Sequence, residues 1–272
     1  MKRFIKKIKP IRRFYDALLA TKYFNSKYLQ ISKWMITSNE ETNFTYDLTD
    51  KNYSELLKTI ESCLDVPFEQ LQKYLDEILN DDQLKSYILR KTKDSTFKNF
   101  ADEHIRFSRR VGWYVITRVI KPKVVIETGV DKGLGSVVLC AALLKNNKEG
   151  YTGRYFGTDI NTESGYLLDE KYKSVGKIIY GDSVASLENF DQKIDLFIND
   201  SDHSANYEYR EYQTIKNKLN RKALILGDNS HVTDKLLKFS IENDRMFVFF
   251  KEEPKDHWYP GGGIGISYLR LK

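Results

Sequence analysis

The spacing of hydrophobic and polar positions changes near residue 100. Beyond that point, short apolar runs alternate with longer segments of helical spacing. The runs KVVIE at 123–127, RYFGTD at 154–159, KIIYGD at 177–182, KIDLFIND at 193–200 and ALILGD at 223–228 read as strands, followed by MFVFFK at 246–251 and GIGISYLRL at 263–271. Residues 102–119, 134–146 and 204–219 carry helical periodicity. Five strand–helix units closed by a final strand pair predict an α/β fold: a Rossmann-like, seven-stranded, mostly parallel sheet with helices on both faces. Residues 14–100 are helical in pattern, with few strand signals. There Asp65-Val66-Pro67 reads as an N-cap followed by a first-turn proline, and Phe68, Leu71, Leu75, Ile78 and Leu79 form an apolar stripe. The polar stretch from Thr37 to Tyr53 reads as a loop. The organisation expected is a small helical N-terminal region over 1–100, serving as acceptor lid or membrane contact, and a larger domain over 101–272.

Composition adds limits. The chain has 272 residues, 41% hydrophobic and 30% charged, which suits a water-exposed globular protein with a substantial core. No stretch approaches the roughly 20 apolar residues of a membrane-spanning helix. Cys63 and Cys140 lie far apart, without a secretory signal or metal-type neighbours. Packing roles in a reducing, cytoplasmic setting follow. The net charge of +6 is concentrated in residues 1–13, which hold seven Lys/Arg and no acid; less those seven, the remainder stands at −1. Phe4, Ile8, Ile11 and Tyr15 recur at helical spacing there, as in a segment lying on the inner, anionic face of a membrane, although Pro10 interrupts the helix. A solvated terminus and a nucleic-acid contact are the alternatives; the slightly acidic remainder argues against a broad phosphate-tracking surface.

Candidate chemistry collects at the strand ends, where ligands bind in open α/β sheets. Residues 124–136 read VVIETGVDKGLGS: a buried strand, the carboxylate Glu127, glycines at 129, 133 and 135, then Ser136. The glycines permit a tight turn and close ligand approach. Their G-x-x-x-G-x-G spacing departs from the dinucleotide fingerprint, and a fixed negative charge at Glu127 disfavours a pyrophosphate and favours a cation-bearing nucleoside, S-adenosylmethionine (SAM). Asp159, at the end of the second strand, is placed to accept both ribose hydroxyls. Asp182 and Ser183 are placed to meet an adenine edge, with a helix cap the other use of Asp182. NDSDHS at 199–204 and GDNS at 227–230 bring Asp200, Asp202, His203, Asp228 and Asn229 to adjacent termini. Carboxylate and amide oxygens suit a hard divalent ion such as Mg²⁺, and a single His gives no zinc set. Five carboxylates converging on one edge would repel one another unless cations or hydroxyl donors also stand there.

Residues 122–230 resemble the class I SAM-dependent methyltransferases. The ETGVDKGLGS loop, the GTD strand end, the GDS and the DSDH are similar to the rhamnosyl O-methyltransferase and cephalosporin-hydroxylase-type branch and to the macrocin-type sugar O-methyltransferases. Through Asp200 with Asp228 and Asn229 the chain also resembles the catechol and caffeoyl-CoA O-methyltransferases. The fifth strand of the rhamnosyl branch ends in Glu-Asp, whereas this chain has Gly227-Asp228-Asn229. The resemblance does not extend to residues 1–100. The resemblance implies SAM over Gly129, Gly133 and Gly135, a metal held by Asp200, Asp228 and Asn229, and a general base at His203 or Asp202. The reaction expected is metal-assisted O-methylation of a sugar hydroxyl in a glycan, glycolipid or glycosylated metabolite. A small catechol-like or natural-product acceptor is the alternative, with the aromatics of DHWYPGGG at 256–263 either walling the acceptor pocket or packing the hairpin. A nucleic-acid modifier is a weaker reading, because NDSDHS lacks the prolines that amino-group methyltransferases carry after the fourth strand.

Overall fold

The computed structural model describes residues 27–40, 44–99, 102–202 and 204–270. The basic segment 1–13 and His203 lie outside the described residues. Helices α1 (Lys27–Thr37), α2 (Asp50–Leu64), α3 (Phe68–Leu79), α4 (Asp82–Lys93) and α5 (Arg110–Ile120) precede the sheet. Then follow β1 (Val124–Thr128), α6 (Leu134–Lys148), β2 (Arg154–Asp159), β3 (Gly176–Tyr180), α7 (Ser183–Glu188) and β4 (Ile194–Asn199). Helix α8 (Ala205–Ile215), β5 (Leu219–Gly227), α9 (Lys235–Glu242), β6 (Met246–Lys251) and β7 (Gly263–Tyr268) complete the chain.

The strands form one seven-stranded sheet in the order β3-β2-β1-β4-β5-β7-β6. β1 to β5 pair in parallel, and β7 runs antiparallel to both β5 and β6. The chain winds outward from β1 to β3 and returns to β4 beside β1, so the strand order switches between those two central strands. Thr128 is in register with Asn199, and Asn199 with Gly227. Backbone bonds continue past the strands: Asp200 N–H donates to Thr128 O at 2.9 Å, and Asp228 N–H to Asn199 O at 2.9 Å. The sequence runs after β1, β4 and β5 are thereby brought level at the switch point, where ligand sites form in such sheets.

Several element boundaries differ from the periodicity. The helix expected from residue 102 begins at Arg110, because Ser108 adopts a left-handed backbone (φ 51°). Asp65 closes α2 in a left-handed conformation, and Pro67 occupies the N-cap position of α3 without a side-chain cap. The Thr37–Tyr53 stretch gives way to α2 at Asp50, capped by the Thr49 side chain on Asn52 N–H. Its extended part is tied to the domain: Leu48 bridges Pro254, and Ser108 N–H donates to Tyr46 O at 3.1 Å.

One sheet face packs into a core that includes Leu56, Leu71, Ile78, Trp113, Val138 and Leu226; the other face holds a second cluster with Phe156, Phe197, Tyr212 and Phe239. Leu71, Leu75 and Ile78 of the predicted stripe are buried. The N-terminal helices and the sheet therefore share one apolar core across residue 100. At roughly 25 cal/mol per Å² of apolar surface, that shared burial stabilises both parts together.

Candidate active site

The glycine turn after β1 is shaped by what stands behind it. Gly129 has φ 82°, and a Cβ there would overlap the Asp200 carbonyl, so this glycine lets the ends of β1 and β4 touch. At Gly135 a Cβ would overlap the Glu127 carboxylate. The glycine thus clears the space that Glu127 fills. Glu127 is 1% exposed and accepts hydrogen bonds from the Tyr155 hydroxyl and, at 3.1 Å, from Ser136 Oγ. Burial pushes its carboxyl up to about 7, against the pull of Tyr155. Ser136, expected among the cofactor contacts, bonds to Glu127 together with Tyr155.

Asp159 organises the same loop. One carboxylate oxygen accepts Val130 and Asp131 N–H at 3.0 and 2.9 Å, and the other accepts Asn161 N–H at 2.8 Å. Asp182 caps α7 through Ala185 N–H at 2.8 Å and accepts the Tyr207 hydroxyl at 2.6 Å, which holds it below the usual carboxylate range. The cap use and the cavity-facing use of Asp182 coexist. Ser183 donates to Glu211, a residue the sequence did not single out. Buried Glu211 also accepts from Thr128 at 3.3 Å, Ser201 at 2.7 Å and Asn199, joining the ends of β1 and β4 to the start of α7. Burial pushes its carboxyl up to about 7 as well.

These termini open on a cavity of about 620 Å³, within the range of ~300–1,000 Å³ typical of small-molecule sites. Glu127, Gly129, Asp159, Asp182 and Ser183 line one part of it, and Asp200 and Asp202 line another. Residues upstream of the sheet, among them Glu40, Thr45, His104 and Arg106, line it too. Asp202 accepts Ser204 N–H and Oγ, each at 3.0 Å, at the start of α8. Gly133, Gly135, Ser136, Asp228 and Asn229 are not among the residues that line it. The aromatics of the 256–263 loop pack against the N-terminal region: Trp258 lies 5.4 Å from Trp34 and 5.0 Å from Phe44, ring centre to ring centre.

The β4 and β5 ends hold a charge cluster that needed a tertiary partner. Arg109, at the start of α5, donates through Nε to Asp228 Oδ1 and through Nη2 to Asp228 Oδ2 at 2.7 Å. Its Nη2 is 4.0 Å from Asp200 Oδ1 and its Nη1 4.0 Å from Glu252 Oε2. Arg110 Nη2 stands 3.9 Å from Asp200 Oδ2. Burial opposes the charge on Arg109, but Asp228, Asp200 and Glu252 outweigh it and hold the guanidinium firmly protonated. Burial and then the neighbouring Asp228 push Asp200 well above the carboxylate range; Arg109 overcomes burial at Asp228 and holds that carboxyl low. An open divalent site would need free carboxylate oxygens with room for water. Both Asp228 oxygens are already committed to a guanidinium, and among the described residues no group of three or more His, Cys, Asp or Glu is placed to hold a metal ion. The donor set does not fit the Mg²⁺ that the resemblance implies.

Residues 126–230 match a family model described as a methyltransferase domain. No curated protein matches the chain. Among solved structures, it is similar to the S-adenosylhomocysteine-bound methyltransferase PaMTH1 of Podospora anserina, at 15% identity over 75% of this chain and 95% of that one, with a TM-score of 0.51. A methyltransferase from Geobacter sulfurreducens is similar at 16% identity over 74% and 98%, again with a TM-score of 0.51. So is a Klebsiella pneumoniae protein assigned as an O-methyltransferase, at 13% identity over 73% and 96%, TM-score 0.51. Residues 126–230 thus resemble a methyltransferase domain, and the seven-stranded β3-β2-β1-β4-β5-β7-β6 sheet is a fold the chain shares with these solved structures.

Proposed function

We propose that this chain transfers the methyl group of SAM to a hydroxyl oxygen of a polar, hydroxyl-rich small acceptor, a sugar or sugar-bearing molecule. The observation that carries this reading is the single cavity running from the Glu127–Asp159–Asp182 edge to Asp200 and Asp202. The first edge suits SAM: Glu127 faces its α-ammonium and sulfonium, Asp159 its ribose and Asp182 with Ser183 its adenine. The second edge, together with Glu40, Thr45 and Arg106 of the same lining, supplies hydrogen-bond donors and acceptors suited to hydroxyl groups. A sugar hydroxyl is a poor nucleophile at neutral pH, so its proton must leave as the methyl is transferred. Two neighbouring side chains, His203 and Asp202, are the candidates to receive it. An amino-group acceptor is less well served, since NDSDHS lacks the proline-containing run of those enzymes.

A small catechol-like acceptor is the second reading, and the aliphatic part of the lining, Ile88, Ile105 and Leu167, favours it. The test is methyl transfer from labelled SAM to matched panels of sugars, glycolipids and catechols. Incorporation into the sugar panel is the expected result, and incorporation confined to catechols overturns the acceptor assignment. Asp202→Asn and His203→Gln then separate the two proton acceptors: the variant of the true base should lose about 100-fold or more in kcat. Absence of S-adenosylhomocysteine binding by calorimetry would overturn the whole reading.

A further inference from the structure

We infer that Arg109 is the resident cation of this site and that the protein works without a divalent metal at the β4 and β5 ends. The inference rests on the methyltransferase reading above and concerns its acceptor half. Three carboxylates, Asp200, Asp228 and Glu252, converge there with side chains 14%, 3% and 0% exposed. Such a group needs compensating positive charge or a retained proton. Arg109 meets that need from the centre: it occupies both oxygens of Asp228 and stands 4.0 Å from each of the other two carboxylates. Arg110, 6% exposed and 5.4 Å above the Trp113 ring, supplies a second cation 3.9 Å from Asp200.

A guanidinium cannot make way by losing its proton. A divalent ion entering this cluster would have to displace the bidentate Arg109–Asp228 pair and sit beside two fixed positive charges. Arg110 Nε and Glu252 Oε1 are buried without partners. Glu252 Oε2 is committed to the Tyr46 hydroxyl at 2.9 Å and Gly262 N–H at 3.0 Å. The cluster is thus built around arginine, with Tyr46 closing it from the N-terminal side. Arg109 acts as a positioning residue: it fixes Asp228 and sets the charge beside Asp200, which lines the cavity.

The test is a Mn²⁺ titration of the full chain loaded with S-adenosylhomocysteine, read by electron paramagnetic resonance. The wild type is expected to bind no Mn²⁺ at this site with Kd below about 1 mM. Arg109→Ala is expected to tighten Mn²⁺ binding at least about tenfold, with the gain lost on adding Asp228→Asn. One tightly bound Mn²⁺ per wild-type chain that disappears in Asp228→Asn overturns the inference, as does a folded Arg109→Ala protein that gains no site. Mn²⁺ binding that persists in Asp228→Asn lies elsewhere and leaves Arg109 as the site's cation. The wild-type titration decides the matter even where Arg109→Ala does not fold. Loss of S-adenosylhomocysteine binding, measured in the same samples, would instead fail the methyltransferase reading.

Discussion

At the residue scale, the properties that matter come from burial. Glu127 and Glu211 are ordinary glutamates in the sequence, yet each is enclosed near the switch point and pushed up to about 7. The folded protein therefore keeps both protonated at pH values where the unfolded chain, with carboxyls near 4.5, has released its protons. Between about pH 4.5 and 7 the folded state binds more protons, so these groups make stability fall as pH rises. Each contributes on the order of 3 kcal/mol across that window. Denaturant titrations at pH 5 and pH 8 should show this loss, and Glu127→Gln with Glu211→Gln should flatten it; an unchanged slope would remove both groups from the explanation. If Glu127 meets the α-ammonium, S-adenosylhomocysteine should bind more tightly as pH rises through about 7, and Glu127→Gln should abolish that trend.

At the element scale, the strand–turn–helix after β1 separates folding from binding within seven residues. Gly129 has positive φ and no space for a Cβ against the Asp200 backbone, so Gly129→Ala should cost on the order of 3 kcal/mol or more. Gly135 is crowded by side chains, the Glu127 carboxylate and the Trp113 ring, which can give way. Gly135→Ala should cost less in stability, about 1–2 kcal/mol, while displacing Glu127 and weakening S-adenosylhomocysteine at least about tenfold. Thermal melts and calorimetry on the two variants check the contrast, and equal losses of stability and affinity in both would refute it. The other elements were legible in proportion to their apolar runs. β2 and β6 fall where the sequence placed them, because each is a compact apolar run bounded by polar residues. The start of α5 was not legible, because it depends on the left-handed Ser108 and on the bond from Ser108 N–H to Tyr46 O.

For the whole molecule, the division near residue 100 marks a change of pattern and not a gap in packing. Leu56 and Leu71 lie in the same core as Trp113 and Leu226, so the N-terminal helices and the sheet should unfold together. Leu71→Ala should lower stability by about 2–5 kcal/mol while leaving a single transition by near- and far-ultraviolet circular dichroism. Two separated transitions would mean that the helical region is an independent unit.

What the sequence determined by itself was the frame and one side of the site. Seven apolar runs specify a parallel sheet with an antiparallel closing pair, and a parallel sheet sends every strand's following residue to the same edge. Glu127, Asp159, Asp182, Asp200 and Asp228 were therefore readable as neighbours before any coordinates. Tertiary structure alone decided what compensates them. Arg109 and Arg110 precede β1 on a helix whose rotation against the sheet no local pattern fixes. Glu211 is one acid on an amphipathic helix, and Glu40 and Thr45 reach the cavity across a long loop. A carboxylate's position follows from the strand it ends, but its charge state and partner follow from what long-range packing places within about 4 Å of it, where Coulomb and desolvation energies become decisive.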